Sequence, residues 1–188
     1  PTFIQGGKSY PCTVVSVDSQ GGRSELSFEI RVADTIAPPP PRVVSSRAVP
    51  GGRILTLSQR TDGFLDSPGW AGREFEAQLA VPDPLRGPLP VRVQLHGFNG
   101  APEVTVSSGE LRLHPTDPLN SYWWGFAESL PGGEPRSGRV PDFTARRVLA
   151  LVEWVLDEYP EADPERVYLA GASMGGAGTL TLGLRWAR

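Results

Sequence analysis

Apolar and polar residues change rhythm several times along this chain, and those changes predict its elements. Tyr10, Cys12 and Val14 alternate with Pro11 and Thr13, and after Gly21-Gly22 the period of two returns at Leu26, Phe28, Ile30 and Val32. Residues 1–36 therefore read as a hairpin of an all-β module. The run Ala37-Pro38-Pro39-Pro40-Pro41 is a stiff, extended spacer through which neither strand nor helix continues. Beyond it, Arg53 to Leu57 and Glu74 to Val81 predict strands. Val91, Val93 and Leu95 predict a third, which ends in His96-Gly97-Phe98-Asn99-Gly100, and Glu110 to His114 a fourth, stopped by Pro115. The period then lengthens. Val148, Leu151, Val152, Val155 and Tyr159 stand at helical spacing behind Asp142, a candidate N-cap. Asp163-Pro164-Glu165-Arg166 predicts a tight connection into the apolar run Val167-Tyr168-Leu169-Ala170, and a small-residue helical stretch follows. Strand, helix, strand, turn and helix in this order predict a parallel α/β sheet.

Composition narrows the picture. With 188 residues and 39% apolar content there is material for one large domain or two small ones. The pattern divides the chain into an all-β remnant at 1–36, a proline-rich linker at 37–42 and an α/β portion at 43–188. A net charge of −3 with mixed signs offers no basic patch for nucleic acid, and no apolar stretch reaches membrane-spanning length, so neither partner is expected. Cys12 is the single cysteine, which leaves the redox compartment open. The sequence starts at Pro1 without a methionine and stops at Arg188 inside a helical pattern, so an internal piece of a longer protein is expected.

The chemistry concentrates at Gly171-Ala172-Ser173-Met174-Gly175. This is the G-x-S-x-G pattern of a nucleophile elbow, placed between a strand and a helix as such a turn requires. The serine hydroxyl must be lifted out of the sheet on a turn so tight that the residues two positions away can carry almost no side chain, and both are glycine. Glycine-rich strand-to-helix turns also close ordinary parallel sheets or bind phosphate; the order of elements here favours a catalytic Ser173. An oxyanion formed on Ser173 needs backbone donors. The Met174 N–H is one candidate, and the loop at Gly97 and Phe98, after the Val91–Leu95 strand, supplies the second. His96 reads as a residue that orients this loop rather than as the general base. Tyr122, Trp123, Trp124 and Phe126 either wall a substrate pocket or pack a loop on the core, and both readings stay open. Neither His96 nor His114 stands in a cluster with metal-ligand spacing, so no metal and no organic cofactor is expected.

Two resemblances follow from these residues. Tyr10-x-Cys12-x-Val14 with the segment Ser16 to Ser24 resembles the last two strands of a fibronectin type III domain, which implies an inward, buried Cys12. Asp142 with its helix, then Asp163 through Gly176, together with His96-Gly97, resembles secreted α/β-hydrolases, namely the polyhydroxybutyrate-depolymerase and feruloyl-esterase-like group or the prolyl-oligopeptidase-like hydrolases. That likeness implies an α/β fold holding an incomplete α/β-hydrolase sheet through its nucleophile elbow. It implies Ser173 as nucleophile, Met174 and the Gly97 to Asn99 loop as oxyanion donors, a small-molecule or polymeric ester as substrate, and secretion. In that architecture the triad acid and histidine follow the serine; no matching positions exist in this chain, so a complete triad is not expected within it. A serine peptidase, a hydrolase-like scaffold without chemistry, an array of fibronectin-like modules and an enzyme completed by a second chain remain the alternatives.

Overall fold

Alternation in the first segment folds back on itself at Asp18. Its carboxylate accepts the N–H groups of Gln20 and Gly22 at 2.9 and 2.7 Å, an Asx-type turn. Strand β1 (Ser9–Val17) thereby pairs antiparallel with β2 (Arg23–Arg31). The pairs Cys12↔Phe28 and Val14↔Leu26 lie on one face, and Thr13 bonds Ser27 across the other at 2.9 Å. Phe28, Val14 and Leu26 are 43%, 54% and 65% exposed, and Cys12 is a half-buried free thiol. The computed structural model describes residues 9–31, 39–61, 68–130 and 139–186. Val32, Ala37, Pro38, the Tyr10 side chain and Arg188 lie outside the described residues. The chain divides into two compact units, Pro1–Ala37 and Pro38–Arg188.

The second unit is built on six strands: β3 (Arg42–Val49), β4 (Gly52–Arg60), β5 (Glu74–Pro82), β6 (Leu89–Leu95), β7 (Leu111–Pro115) and β8 (Ala162–Gly171), in the spatial order β3-β4-β5-β7-β6-β8. The sheet is mixed rather than parallel. β3, β4, β5 and β7 pair antiparallel in succession, while β7, β6 and β8 run parallel. The reason lies in the connections. Pro50-Gly51 joins β3 to β4, and so short a hairpin links antiparallel strands alone; the crossover through helix α1 (Phe143–Glu158) returns β8 parallel to β7. β3 has no apolar alternation to announce it: residues 42–48 are all exposed, and backbone pairing along a sheet edge holds it.

Every other residue of the inner strands points to one core. Leu55 and Leu57, Ala77 and Leu79, Val91, Val93 and Leu95, and Leu111 and Leu113 form one cluster with Val148, Leu151 and Val155 of α1 and with Met174 and Leu182 of α2 (Met174–Trp186). Each fully buried leucine or valine contributes about 1.5–3 kcal/mol, so this cluster, not helix propensity, fixes both helices on the sheet. Two local readings need correction. Asp163 to Arg166 lie inside β8 as an irregularity, since Leu89 partners Ala162 and Val91 partners Val167. The expected turn chemistry survives there: the Asp163 carboxylate accepts Arg166 Nε at 2.6 Å and the Glu165 N–H at 3.0 Å, and the Arg166 bond holds its carboxyl below the usual range. Asp142 precedes α1 but makes no side-chain cap. The Trp124 carbonyl takes the Thr144 and Ala145 N–H groups at 3.0 and 3.3 Å, and Asp142 pairs with Arg146 at 3.0 Å instead.

Candidate active site

Leu95, Pro115 and Gly171 end the three parallel strands, so the loops that follow them emerge at one edge of the sheet. Ligands of open α/β sheets bind beyond the carboxyl ends of parallel strands. All five non-glycine residues with left-handed backbones among the described residues lie in these loops: Asn99 (φ 53°), Asn120 (53°), Tyr122 (55°), Trp123 (63°) and Ser173 (55°). Each costs on the order of 1 kcal/mol relative to an ordinary conformation.

Ser173 stands exposed between β8 and α2. Around it the Gly175 N–H donates to the Ala172 carbonyl at 2.9 Å and the Ala177 N–H to the Ser173 carbonyl at 3.0 Å. A Cβ on Gly171 would strike the backbone of Gly175, and one on Gly175 would strike the Leu95 carbonyl. The first glycine lets the turn close on itself; the second lets it rest on β6. A Cβ on Gly178 would lie 2.5 Å from the Trp123 ring, so the small residues of α2 serve an aromatic neighbour as well as the sheet.

The loop after β6 comes up against this turn. A Cβ on Gly97 would sit 3.8 Å from the Ser173 Cβ and 3.6 Å from the Ala172 carbonyl. His96 Nε2 accepts the Asp117 N–H at 2.9 Å, which puts the ring proton on Nδ1, and that group donates to the Gly97 carbonyl at 2.7 Å. Both imidazole nitrogens are engaged within the loops. The Gly97 carbonyl also accepts the Gly100 N–H at 2.9 Å. A trans peptide sets its N–H opposite its carbonyl, so the Phe98 N–H is directed away from these two donors. The N–H groups of Gly97, Phe98 and Met174 make no hydrogen bond among the described residues, and the Met174 side chain is buried in the core.

Three of the four aromatic residues pack inward. Trp123 is fully buried, donates from Nε1 to the His96 carbonyl at 3.2 Å and meets the His96 ring edge-on. Trp124 packs beside Trp186 and under the Arg185 guanidinium, and Phe126 beside Trp70. Tyr122 alone of the four is exposed, at 56%. Beneath them Asp117 Oδ2 accepts Ser121 Oγ at 3.0 Å and the Trp123 N–H at 3.2 Å, and Ser121 Oγ bonds Thr144 Oγ1 of α1 at 2.7 Å. This buried network had no sequence signal. Asn99 had one, the Asn99-Gly100 turn dipeptide; its partner Asn120 had none. His114 lies in β7, where burial first and then Arg112 and Arg92 lower its pKa from 6.5 to about 4.

A mixed sheet whose parallel strands end in a glycine-flanked serine turn opening a helix has the α/β-hydrolase fold. Two solved structures superpose on this fold. The S-formylglutathione hydrolase from Agrobacterium tumefaciens superposes with a TM-score of 0.52 at 17% identity, covering 77% of this chain and 57% of its own. The glucuronoyl esterase from Solibacter usitatus gives 0.52 at 16% identity, covering 82% and 51%. The chain thus spans little more than half the length of these two structures. No family model and no curated protein matches it.

Proposed function

We propose that this chain carries the nucleophile and the oxyanion donors of a serine hydrolase acting on carboxylic esters. Ser173 Oγ adds to the ester carbonyl, and the oxyanion is held by the Met174 N–H together with the Phe98 or Gly97 N–H. Collapse expels the alcohol, which takes up a proton, and leaves an acyl-Ser173 that water hydrolyses. The observation that carries this reading is the exposed Ser173, left-handed at φ 55°, beside a loop whose Gly97 and Phe98 N–H groups have no partner among the described residues. Its likeness in fold to an S-formylglutathione hydrolase and a glucuronoyl esterase supports acyl esters over peptides. Both ring nitrogens of His96 are engaged within the loops, and His114 lies in β7 with its pKa lowered to about 4, so neither is read as the proton acceptor for Ser173. The substrate on this reading is a small-molecule or polymeric ester.

The test is turnover of a short-chain aryl ester by the full-length protein. Ser173→Ala lowers kcat by at least about 10³-fold with an unchanged unfolding midpoint; turnover that survives the substitution overturns the assignment. The same reading places the protein outside the cell and derives β1–β2 from a fibronectin type III-like domain, in keeping with the exposed apolar face of the hairpin. Recovery of the full-length protein from the cytosolic fraction alone would refute the first of these. A structure of the full-length protein in which β1–β2 join no sandwich would refute the second.

A further inference from the structure

Residues 97–100 form a β-turn closed by the Gly100 N–H on the Gly97 carbonyl. Asn99, its third corner, has φ 53°, and Phe98, its second, is not among the positive-φ residues. A positive φ at the third corner alone is the mark of a type II turn. Type I differs from it by reversal of the central peptide, which exchanges the directions of the Phe98 carbonyl and the Asn99 N–H. That reversal would carry the Asn99 N–H away from any partner it has in the type II form.

Asn120, on the loop after β7, holds residue 99 through both its backbone and its side chain. Its Oδ1 accepts the Asn99 N–H at 2.8 Å, and its Nδ2 donates to Asn99 Oδ1 at 2.7 Å. Asn120 is itself left-handed at 53°, and its own N–H donates to the Asp117 carbonyl at 3.0 Å. The clasp is therefore anchored in the residue whose N–H fixes His96. With His96 holding the Gly97–Phe98 peptide and Asn120 holding the Phe98–Asn99 peptide, two successive peptide planes beside Ser173 are set by side chains. The Asn99 N–H is spent in this bond, which removes it from the candidate donors and leaves Phe98 and Gly97.

We infer that Asn99 and Asn120 are positioning residues for the oxyanion loop, fastening the 97–100 turn to the loop after β7 so that the adjoining Gly97 and Phe98 N–H groups keep their place beside Ser173. This rests on the Ser173 reading given above. Preorganised donors act on the transition state more than on the bound ester, and a small misplacement of reacting groups costs up to about 10²-fold. Loss of the clasp should thus appear in kcat.

The experiment compares Asn120→Gly, Asn120→Asp, Asn99→Gly and Ser173→Ala in the full-length protein on the aryl ester. Asn120→Gly tolerates the left-handed backbone and removes the clasp; kcat falls about 10- to 100-fold with KM within about twofold. Asn120→Asp keeps the acceptor for the Asn99 N–H and recovers most of that loss. Asn99→Gly keeps the turn and its N–H, and loses less than Asn120→Gly; it also serves as the readout if Asn120→Gly does not fold. Amide exchange at Asn99 accelerates at least about tenfold in Asn120→Gly as the protecting bond is lost. Wild-type kcat in Asn120→Gly, or a loss shared equally by kcat and KM that Asn120→Asp does not restore, overturns the inference while Ser173→Ala still abolishes turnover. Turnover unaffected by Ser173→Ala overturns the Ser173 reading, and the inference with it.

Discussion

The two halves of the sheet place left-handed backbone in opposite ways. In the antiparallel half and the hairpin, turns that need a positive φ use glycine: Gly21 (83°), Gly51 (80°) and Gly72 (72°). At the carboxyl ends of β6, β7 and β8 the same region of conformational space is taken by serine, asparagine, tyrosine and tryptophan. A connection that merely reverses the chain adopts the residue with the lowest conformational cost. A loop that retains a β-carbon against that cost does so because the side chain is needed there. Asn99 and Asn120 clasp each other, Trp123 fills the core under the serine turn, and Ser173 presents a hydroxyl. Local strain is a pointer to function when it is gathered in one place.

Substitutions can break this contrast, the largest effects coming where space is tightest. Gly175→Ala drives a Cβ into the Leu95 carbonyl, and because backbone cannot yield as a side chain can, it should destabilise by about 3 kcal/mol or more; chemical denaturation measures this. Gly178→Ala meets the Trp123 ring at 2.5 Å, which shifts at the expense of the His96 bond, for about 2 kcal/mol. Next is a pH effect. The folded pKa of His114, about 4, lies below its ordinary 6.5, so on acidification the unfolded chain binds the proton first. Stability is full above about pH 6.5, falls on the order of 2 kcal/mol toward pH 4, and levels off below. Denaturation midpoints at pH 7.5 and 5 should differ in the wild type and converge in His114→Gln. The smallest pair sharpens the contrast directly. Gly51→Ala should lose about 1 kcal/mol, whereas Tyr122→Gly, at an exposed position, should gain about 0.5 kcal/mol.

Where burial and period coincide, the fold was legible. The repeat of two marked β4 to β7, and the helical spacing Val148-Leu151-Val155 marked α1. β3 was missed because an edge strand has no buried face to pattern, and the mixed sheet because strand direction is decided by connections, not composition. Asp142 looked like a cap since residue type was visible and the competing Trp124 carbonyl was not. At the candidate site the Gly-x-Ser-x-Gly spacing could be read because its cause is local: both glycines answer collisions within or directly beneath the turn. The Asn99–Asn120 clasp and the Ser121–Thr144 bond join residues 21 and 23 positions apart; long-range polar pairing leaves no periodicity to detect.

Gathering the strain at one edge has a consequence for anyone engineering this protein. A heat-resistance screen rewards whatever relaxes the backbone, and glycine at 99, 122 or 173, where the side chain is exposed, does so at little packing cost. Such a screen, run without a parallel selection for turnover, would drift toward a hardier protein by erasing, residue by residue, the edge at which the hydrolase chemistry is proposed. The positions that look most improvable by stability alone are the ones to exclude from the library.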